Sequence, residues 1–135
     1  MRTVTKCLSA GRMSVTYTLF LMGSDVAVAV SGGAAHVGSV VLASPRPSLA
    51  DGRVTSATSS VMNVAGHKDE FLLRGLAEHI AAKTKRSVIC FGGVHYDGLT
   101  VEELAQVRDL ENRACEQCSD WLAELLDRTI QKGRD

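Results

Sequence analysis

The order in which strand-like and helix-like segments follow each other is the feature that most restricts the fold of this chain. Four segments with strand character come before the first helical segment, and a fifth separates that helix from a long final one. This order differs from the strict strand-helix alternation of a doubly wound parallel sheet. It predicts an α+β fold with an antiparallel or mixed five- to six-stranded sheet and two helices, the C-terminal one long.

Turn signals and β-branched residues define the predicted strands. A glycine-containing turn at 23–25 has hairpin length, so the first two strands are expected to pair antiparallel. Pro45 and Pro47 are expected to end the third strand, because proline cannot donate a ladder hydrogen bond. Residues 1–12 are predicted to form an N-terminal arm or a short edge strand. The other strands are predicted at 13–22, 26–31, 39–43, 54–64 and 87–91.

Two later segments carry apolar residues at helical spacing. The first, residues 69–85, has acidic residues in its first turn and basic residues at its end, as the helix dipole favours. The second begins at Thr100, which with Glu103 has the spacing of a capping box. Its apolar stripe consists of Val101, Leu104, Val107, Leu110, Ala114, Cys118, Leu122 and Leu125.

The charge balance argues against nucleic-acid or membrane binding. Fifteen basic and fifteen acidic side chains give a formal net charge of zero, and one Trp, two Tyr and three Phe offer little surface for base stacking. The longest apolar-rich stretch, 19–30, is interrupted by Gly, Ser and Asp, so no transmembrane helix is expected. Any ligand must therefore be recognised by a local group of residues.

The cysteines indicate a reducing compartment. Cys7, Cys90, Cys115 and Cys118 are irregularly spaced and no secretory signal precedes them, so a cytoplasmic protein with free thiols is expected. Cys115 and Cys118 have the spacing of a redox or metal pair. Because both fall inside a predicted helix, Cys118 is interpreted as a core residue and Cys115 as its neighbour.

Three histidines lie in similar glycine-bounded settings at predicted strand ends. His36 lies in the glycine-rich segment 32–38, His67 precedes the first helix, and His95 lies in the predicted loop 92–99. A single surface histidine is most often only a hydrogen-bonding residue. If all three meet at one rim of the sheet beside a carboxylate, they suit zinc, iron, manganese or nickel. The candidate metal ligands are His36, His67, His95, Asp97, Asp69 and Glu70.

The glycines near these histidines offer a second interpretation, a phosphate site. Residues 66–68 precede a helix N-terminus, where free N–H groups and the helix dipole favour an anion. Asp69 and Glu70 weaken this interpretation, because their charges repel an anion. Gly32 and Gly33 are the alternative cradle, although such a pair after a strand more often serves only to form a turn.

Three motifs, taken together and in this order, resemble the LpdD-like family. They are Gly32-Gly33 with His36-Val37-Gly38, then Gly66-His67-Lys68-Asp69-Glu70, then Gly93-Val94-His95-Tyr96-Asp97. Members of that family are small subunits associated with gallate decarboxylase, described as prenylated-flavin chaperones with a fold similar to proteasome assembly chaperones. The resemblance covers roughly residues 14–110 of a single domain spanning 1–135, and it leaves 111–135 as a C-terminal helix extension.

The resemblance implies an accessory protein with no catalytic residues of its own. Such a protein binds prenylated flavin mononucleotide (prenylated FMN), with a divalent metal, and delivers it to a UbiD-type decarboxylase. A homodimer is also expected, because one face of the predicted sheet is left exposed. The residues expected to contact the flavin are Gly32, Gly33, His36, Gly38, Gly66, Lys68 and Tyr96.

Two other classes of protein are compatible with the sequence. A small metal-dependent enzyme would use His36, His67 and His95 as ligands, with Asp97 or Glu70 as the base. A pure assembly module would dock its sheet and its helical stripe onto a partner enzyme, and its histidines would only shape loops. Metal analysis and histidine-to-alanine variants distinguish these classes.

Overall fold

The chain forms one mixed sheet of six strands with two helices, in a computed structural model that describes residues 2–64 and 70–132. This architecture confirms the predicted α+β class and the long C-terminal helix. In chain order the elements are β1 (Thr3–Ala10), β2 (Met13–Met22), β3 (Asp25–Gly33), β4 (Ser39–Pro47), β5 (Thr55–Asn63), α1 (Glu70–Thr84), β6 (Val88–His95) and α2 (Val101–Lys132).

The strand order determines which strand ends lie next to each other at one edge of the sheet. The order is β1-β2-β3-β6-β4-β5, and every neighbouring pair is antiparallel except β3 and β6, which are parallel. The C-terminal ends of β3 and β6 therefore lie side by side, with Gly33 opposite His95. Ser39, at the start of β4, pairs with Gly92 on one side and Asn63 on the other. The ends of β3, β5 and β6 and the start of β4 thus lie side by side at this edge.

Both helices pack on the same face of the sheet. α1 lies against β4, β5 and β6, while α2 lies against β1 and β2. Alternate strand residues point into this layer, and the Tyr17 ring packs on Trp121 with 5.4 Å between ring centroids. The predicted stripe of α2 is buried from Leu110 to Leu125, whereas Val101 and Leu104 are exposed. The fully buried core includes Met13, Leu19, Val28, Val41, Leu73, Ile80, Val88, Leu110 and Leu125.

The start of α2 has the predicted capping box. The Glu103 N–H donates to Thr100 Oγ1 at 3.1 Å, and the Thr100 N–H donates to Glu103 Oε1 at 3.2 Å. Two donors of the first helical turn are satisfied by this exchange. The helix therefore has a well-defined start five residues after His95.

The edge strand expected within residues 1–12 is present, whereas the end of β4 differs from the prediction. Residues 1–12, for which an arm or a short edge strand was expected, contain the edge strand β1. The expectation that prolines end β4 is wrong, since β4 continues through Pro45 to Pro47 opposite β5. Its ladder with β6 stops at Ala43. Beyond that point β4 has one neighbour, and prolines are tolerated where an N–H has no ladder partner.

The placement of His95 in a loop is also wrong. β6 does not end at Phe91 but runs through Gly92 and Gly93 to His95, because these residues pair in register with β3. Glycine is disfavoured in strands because of its conformational entropy. For this reason the strand was predicted to end before Gly92. The consequence is that the β6 backbone, and not a flexible loop, positions His95.

The cysteines occupy the predicted environments. Cys118 is buried and Cys115 is half-buried, and all four cysteines are free thiols. Burial raises the pKa of the Cys115 thiol to about 11. At neutral pH this thiol is protonated, as expected for a packing residue and not for a reactive one. Within the described ranges, no helix is both long and apolar enough to span a bilayer.

Candidate functional site

The edge where β3, β5 and β6 end is formed by residues 32–38, 63–64 and 92–97, and we call it the histidine rim. Backbone hydrogen bonds connect its parts. The Ala34 N–H donates to the His95 carbonyl at 3.0 Å, the Gly38 N–H to the Gly92 carbonyl at 2.8 Å, and the Val64 N–H to the Gly38 carbonyl at 2.8 Å. The loop that carries His36 is therefore fixed to β6 at both of its ends.

Two glycines allow this close approach of backbones. A Cβ atom on Gly33 would lie 2.0 Å from the His95 carbonyl oxygen, and one on Gly92 would lie 1.9 Å from the Val30 carbonyl oxygen. Both residues also have positive φ angles, 63° for Gly33 and 129° for Gly92. Only glycine adopts such conformations without strain. These glycines are thus needed for the packing of the rim itself, whatever it binds.

The rim brings the His36 and His95 rings close together. Their ring centroids are 6.0 Å apart, and the ring planes are inclined by 80°. His36 Nδ1 donates to the Ala34 carbonyl at 3.0 Å. Because a carbonyl can only accept, this bond places the His36 proton on Nδ1 and the lone pair on Nε2. His36 thus has a defined ring orientation and tautomer.

Asp97 orients the second imidazole. His95 Nε2 donates to Asp97 Oδ1 at 2.9 Å, and the side chains are 50% and 95% exposed, respectively. The carboxylate accepts this proton, so the neutral His95 ring carries its lone pair on Nδ1. A carboxylate hydrogen-bonded to a histidine is the usual outer-shell partner of a metal-binding imidazole. Asp97 is therefore placed to support His95.

The histidine separation can be compared with that of two imidazoles on one ion. A zinc–nitrogen bond of about 2.0 to 2.1 Å puts a ring centre about 3.2 Å from the metal, so two such rings on a tetrahedral ion have centres roughly 5.2 Å apart. The observed 6.0 Å is about 0.8 Å longer than this separation. Among residues 2–64 and 70–132, however, no three His, Cys, Asp or Glu side chains form a group suited to a metal.

Several predicted site residues lie outside the described residues. These are Gly66, His67, Lys68 and Asp69. Glu70 is the first residue of α1. The neighbouring Val64 is part of the rim through its bond to Gly38.

The other predicted flavin contacts have specific roles in the chain itself. The Gly38 N–H donates a hydrogen bond to the Gly92 carbonyl. A Cβ atom on Gly32 would lie 2.7 Å from the Ser14 carbonyl oxygen, so the backbone there is closely packed. The Tyr96 hydroxyl donates to the Ser14 carbonyl at 2.8 Å and accepts the Ser14 N–H at 2.7 Å. Tyr96 therefore attaches the segment after His95 to β2, and its hydroxyl is engaged within the chain.

Arg12 contacts the histidine rim, and the sequence did not reveal this. Its guanidinium lies 5.8 Å from the Tyr96 ring centroid, donates to the Asp97 carbonyl at 2.8 Å, and pairs with Glu103 at 2.5 Å. Hydrogen bonding to Arg12 lowers the pKa of Glu103. Because Arg12 and Glu103 are 91 residues apart, no local pattern could predict this contact. It connects the β1–β2 turn, the rim and the start of α2.

Comparison with known structures identifies the fold. The chain is similar to one in the structure described as a novel chaperone complex for yeast 20S proteasome assembly, with a TM-score of 0.53 and 12% sequence identity. The match covers 93% of this chain and 97% of the other. At that identity the similarity shows a shared fold only. The chain thus has the fold of a proteasome assembly chaperone.

Comparison of sequences identifies the family. No curated protein matches the chain. Residues 9–123 match the family described as the prenylated flavin chaperone LpdD-like domain. The protein therefore belongs to the LpdD-like prenylated flavin chaperone family, which confirms the resemblance seen in the sequence. The match also includes part of β1 and the first 23 residues of α2.

Proposed function

We propose that this protein binds prenylated FMN at the histidine rim and delivers it to a UbiD-type decarboxylase, without catalysing a reaction itself. Membership of the prenylated flavin chaperone family supports an accessory role. The observation that carries the assignment to the rim is the pairing of His36 with His95 at 6.0 Å. The four free cysteines support a cytoplasmic location, where thiols are kept reduced.

The rim suits the phosphate end of such a flavin better than its ring system. Two imidazoles with defined tautomers can bind a phosphate through N–H groups when protonated, or through a shared metal ion when neutral. Gly33 and Ala35 are exposed and carry little or no side chain, so a ligand can approach the backbone there. Tyr96 supplies one aromatic ring beside them. The prenylated flavin is cargo here, and its electron-accepting ring serves the partner enzyme.

An anaerobic titration tests this proposal. Reduced prenylated FMN is added to the purified protein, and binding is followed by absorbance, with unmodified FMN in a parallel titration. We expect saturable binding of the prenylated form and transfer of the bound flavin to a flavin-free UbiD-type decarboxylase, measured as recovered decarboxylase activity. Failure to bind under these conditions contradicts the proposal.

A divalent metal ion is the second part of the proposal. It would be held by His36 and His95, with Asp97 in the outer shell and with His67, Asp69 or Glu70 as further candidate ligands. The observation that supports this arrangement is that the two rings are neighbours on the rim. A metal held in this way supplies positive charge for a phosphate, as a neutral imidazole does not.

Replacing Asp97 with asparagine is expected to weaken metal binding by about 10- to 100-fold, the usual cost of removing an outer-shell partner. The variant removes the carboxylate that accepts the His95 Nε2 proton. A titration with Co²⁺, followed by visible absorbance, measures the change. Asp109→Asn, another exposed aspartate, is the matched control and should bind Co²⁺ like the wild type. Equal affinities for Asp97→Asn and wild type would exclude the proposed role.

The helix-free face of the sheet is the proposed homodimer interface. Both helices cover the opposite face, and on this face Leu42 is 50% and Met62 72% exposed. By strand alternation Val40, Phe91 and Ile89 share the same surface. An apolar sheet surface of this kind commonly marks a protein contact. A second copy of the chain is the occupant proposed for it.

Leu42→Glu is expected to convert the dimer to monomer, because it places a charge in the centre of this surface. Sedimentation velocity measures the oligomeric state. Leu49→Glu makes the same change at a residue that is 93% exposed in the β4–β5 connection, and it should leave the dimer intact. A monomeric wild-type protein, or a dimeric Leu42→Glu variant, argues against this interface.

A further inference from the structure

A concave site lies at the end of the sheet opposite to the histidine rim. It is an open pocket of about 270 Å³ between the β4–β5 connection and the end of α1. The volume is just below the roughly 300 to 1,000 Å³ of most small-molecule sites. It is large enough for a small ligand or for one end of a larger one. Its walls include Pro45, Arg46, Pro47, Arg53, Thr55 and Lys85.

Positive charge dominates this pocket. Arg46, Arg53 and Lys85 all line it, and within the described part of the chain no carboxylate does so. Asp51 is close by and holds Arg53 through an ion pair at 3.1 Å. Three cations against this one carboxylate leave an excess of two positive charges, although the protein as a whole has a formal charge of zero. The local excess matches the charge of a phosphate dianion.

Arg46 is held in a fixed orientation at the pocket wall. Its Nε donates to Thr58 Oγ1 at 2.6 Å and its Nη1 to the Pro47 carbonyl at 3.0 Å. Pro45 and Pro47 on either side restrict the backbone that carries it. A guanidinium already fixed by two hydrogen bonds loses little further freedom when it binds an anion. Arg46 is thus preorganised for a ligand.

Lys85 occupies a backbone position where glycine is usual. It directly follows α1 with a φ of 56°, and its N–H donates to the Ala81 carbonyl at 2.9 Å. A left-handed conformation after a helix is most often adopted by glycine, because a Cβ atom strains it. Lysine at this position points to a use for its side chain, which lines the pocket. The negative end of the helix dipole opposes an anion here. However, the Ala81 and Ile80 carbonyls accept hydrogen bonds from the Lys85 N–H and the Thr84 hydroxyl, respectively.

We infer that this pocket binds the phosphate group of a small phosphorylated molecule through Arg46, Arg53 and Lys85. The Thr55 hydroxyl, also in the wall, is a further donor of the kind that phosphates accept from. The site is separate from the histidine rim, since Pro47 pairs with Thr55 at one end of the β4–β5 ladder and Ser39 with Asn63 at the other. Phosphate binding here is independent of flavin binding at the rim.

NMR titration of ¹⁵N-labelled protein at low salt tests the inference. The probes are inorganic phosphate, glycerol 3-phosphate and FMN, with acetate as a carboxylate reference. Phosphate is expected to shift the amide signals of residues 46, 53, 55 and 85. Tighter binding of glycerol 3-phosphate or FMN than of inorganic phosphate identifies a phosphomonoester as the ligand, whereas equal binding identifies free phosphate.

Two variants check the residues. Lys85→Gly is expected to weaken phosphate binding about tenfold while retaining or increasing thermal stability, because glycine relieves the backbone strain. Arg46→Gln should weaken binding similarly, and Lys83→Ala, a basic residue close to the end of α1, should not. Phosphate shifts confined to the histidine rim, equal shifts with acetate, or unchanged binding by Lys85→Gly would each overturn the inference.

Discussion

Replacing Gly92 with alanine is expected to destabilise the protein by about 4 kcal/mol or more, a large fraction of the stability of an average domain. The added Cβ atom would lie 1.9 Å from the Val30 carbonyl oxygen, in the centre of the parallel β3–β6 ladder. The φ of 129° adds further strain, because residues with a side chain rarely adopt it. The clashing atoms belong to the β3 backbone, so they cannot move away as a flexible side chain could.

Urea denaturation followed by circular dichroism measures this loss. Gly98→Ala is the matched control, since Gly98 also has a positive φ, 63°. A Cβ atom added at Gly98 would have no neighbouring atom within 4 Å in the described part of the chain. Its cost is expected to be only the strain of a left-handed alanine, about 1 to 2 kcal/mol. If Gly92→Ala costs no more than Gly98→Ala, β3 and β6 do not approach each other closely enough to form the histidine rim.

Trp121→Ala is expected to cost about 3 to 5 kcal/mol, the usual range for truncating a buried tryptophan. Trp121 is 5% exposed and packs on Tyr17, whose ring centroid is 5.4 Å away. Its neighbours Leu122 and Leu125 are buried in the same layer. The second half of α2 therefore packs on β2 as part of the core.

Ile130→Ala is the control for this prediction. Ile130 lies on the same helix but is 58% exposed, so its truncation should change the free energy of unfolding by less than about 0.5 kcal/mol. Both variants are measured by urea denaturation. Similar small effects for the two would mean that the end of α2 is not packed on the sheet.

The elements that a local pattern defines were predictable from the sequence. Alternating apolar residues identified β2, and helical spacing identified both helices, because one face of each element is buried. The capping box fixed the start of α2 at Thr100, and its hydrogen bonds confirm it. The prediction ended β6 too early, because Gly92 and Gly93 have low strand propensity. In the structure both residues pair with β3, and this pairing outweighs their propensity.

The site was predictable only in part. Glycine-bounded histidines at strand ends suggested a shared rim, and the parallel β3–β6 pair brings His36 and His95 together there. The strand order that makes this possible is non-local, with β6 inserted between β3 and β4. Arg12 and the pocket around Lys85 depend on contacts between distant segments and on a backbone angle. No spacing rule in the sequence contains that information.

The dissociation constant for reduced prenylated FMN, measured anaerobically with the wild type and with the double variant His36→Ala/His95→Ala, tests the central claim most directly. We expect the double variant to bind at least about 100-fold more weakly, since it loses both imidazoles of the rim. His79→Gln, a histidine change on α1, should bind like the wild type. Unchanged affinity in the double variant would show that the flavin, if bound, is held elsewhere on the protein.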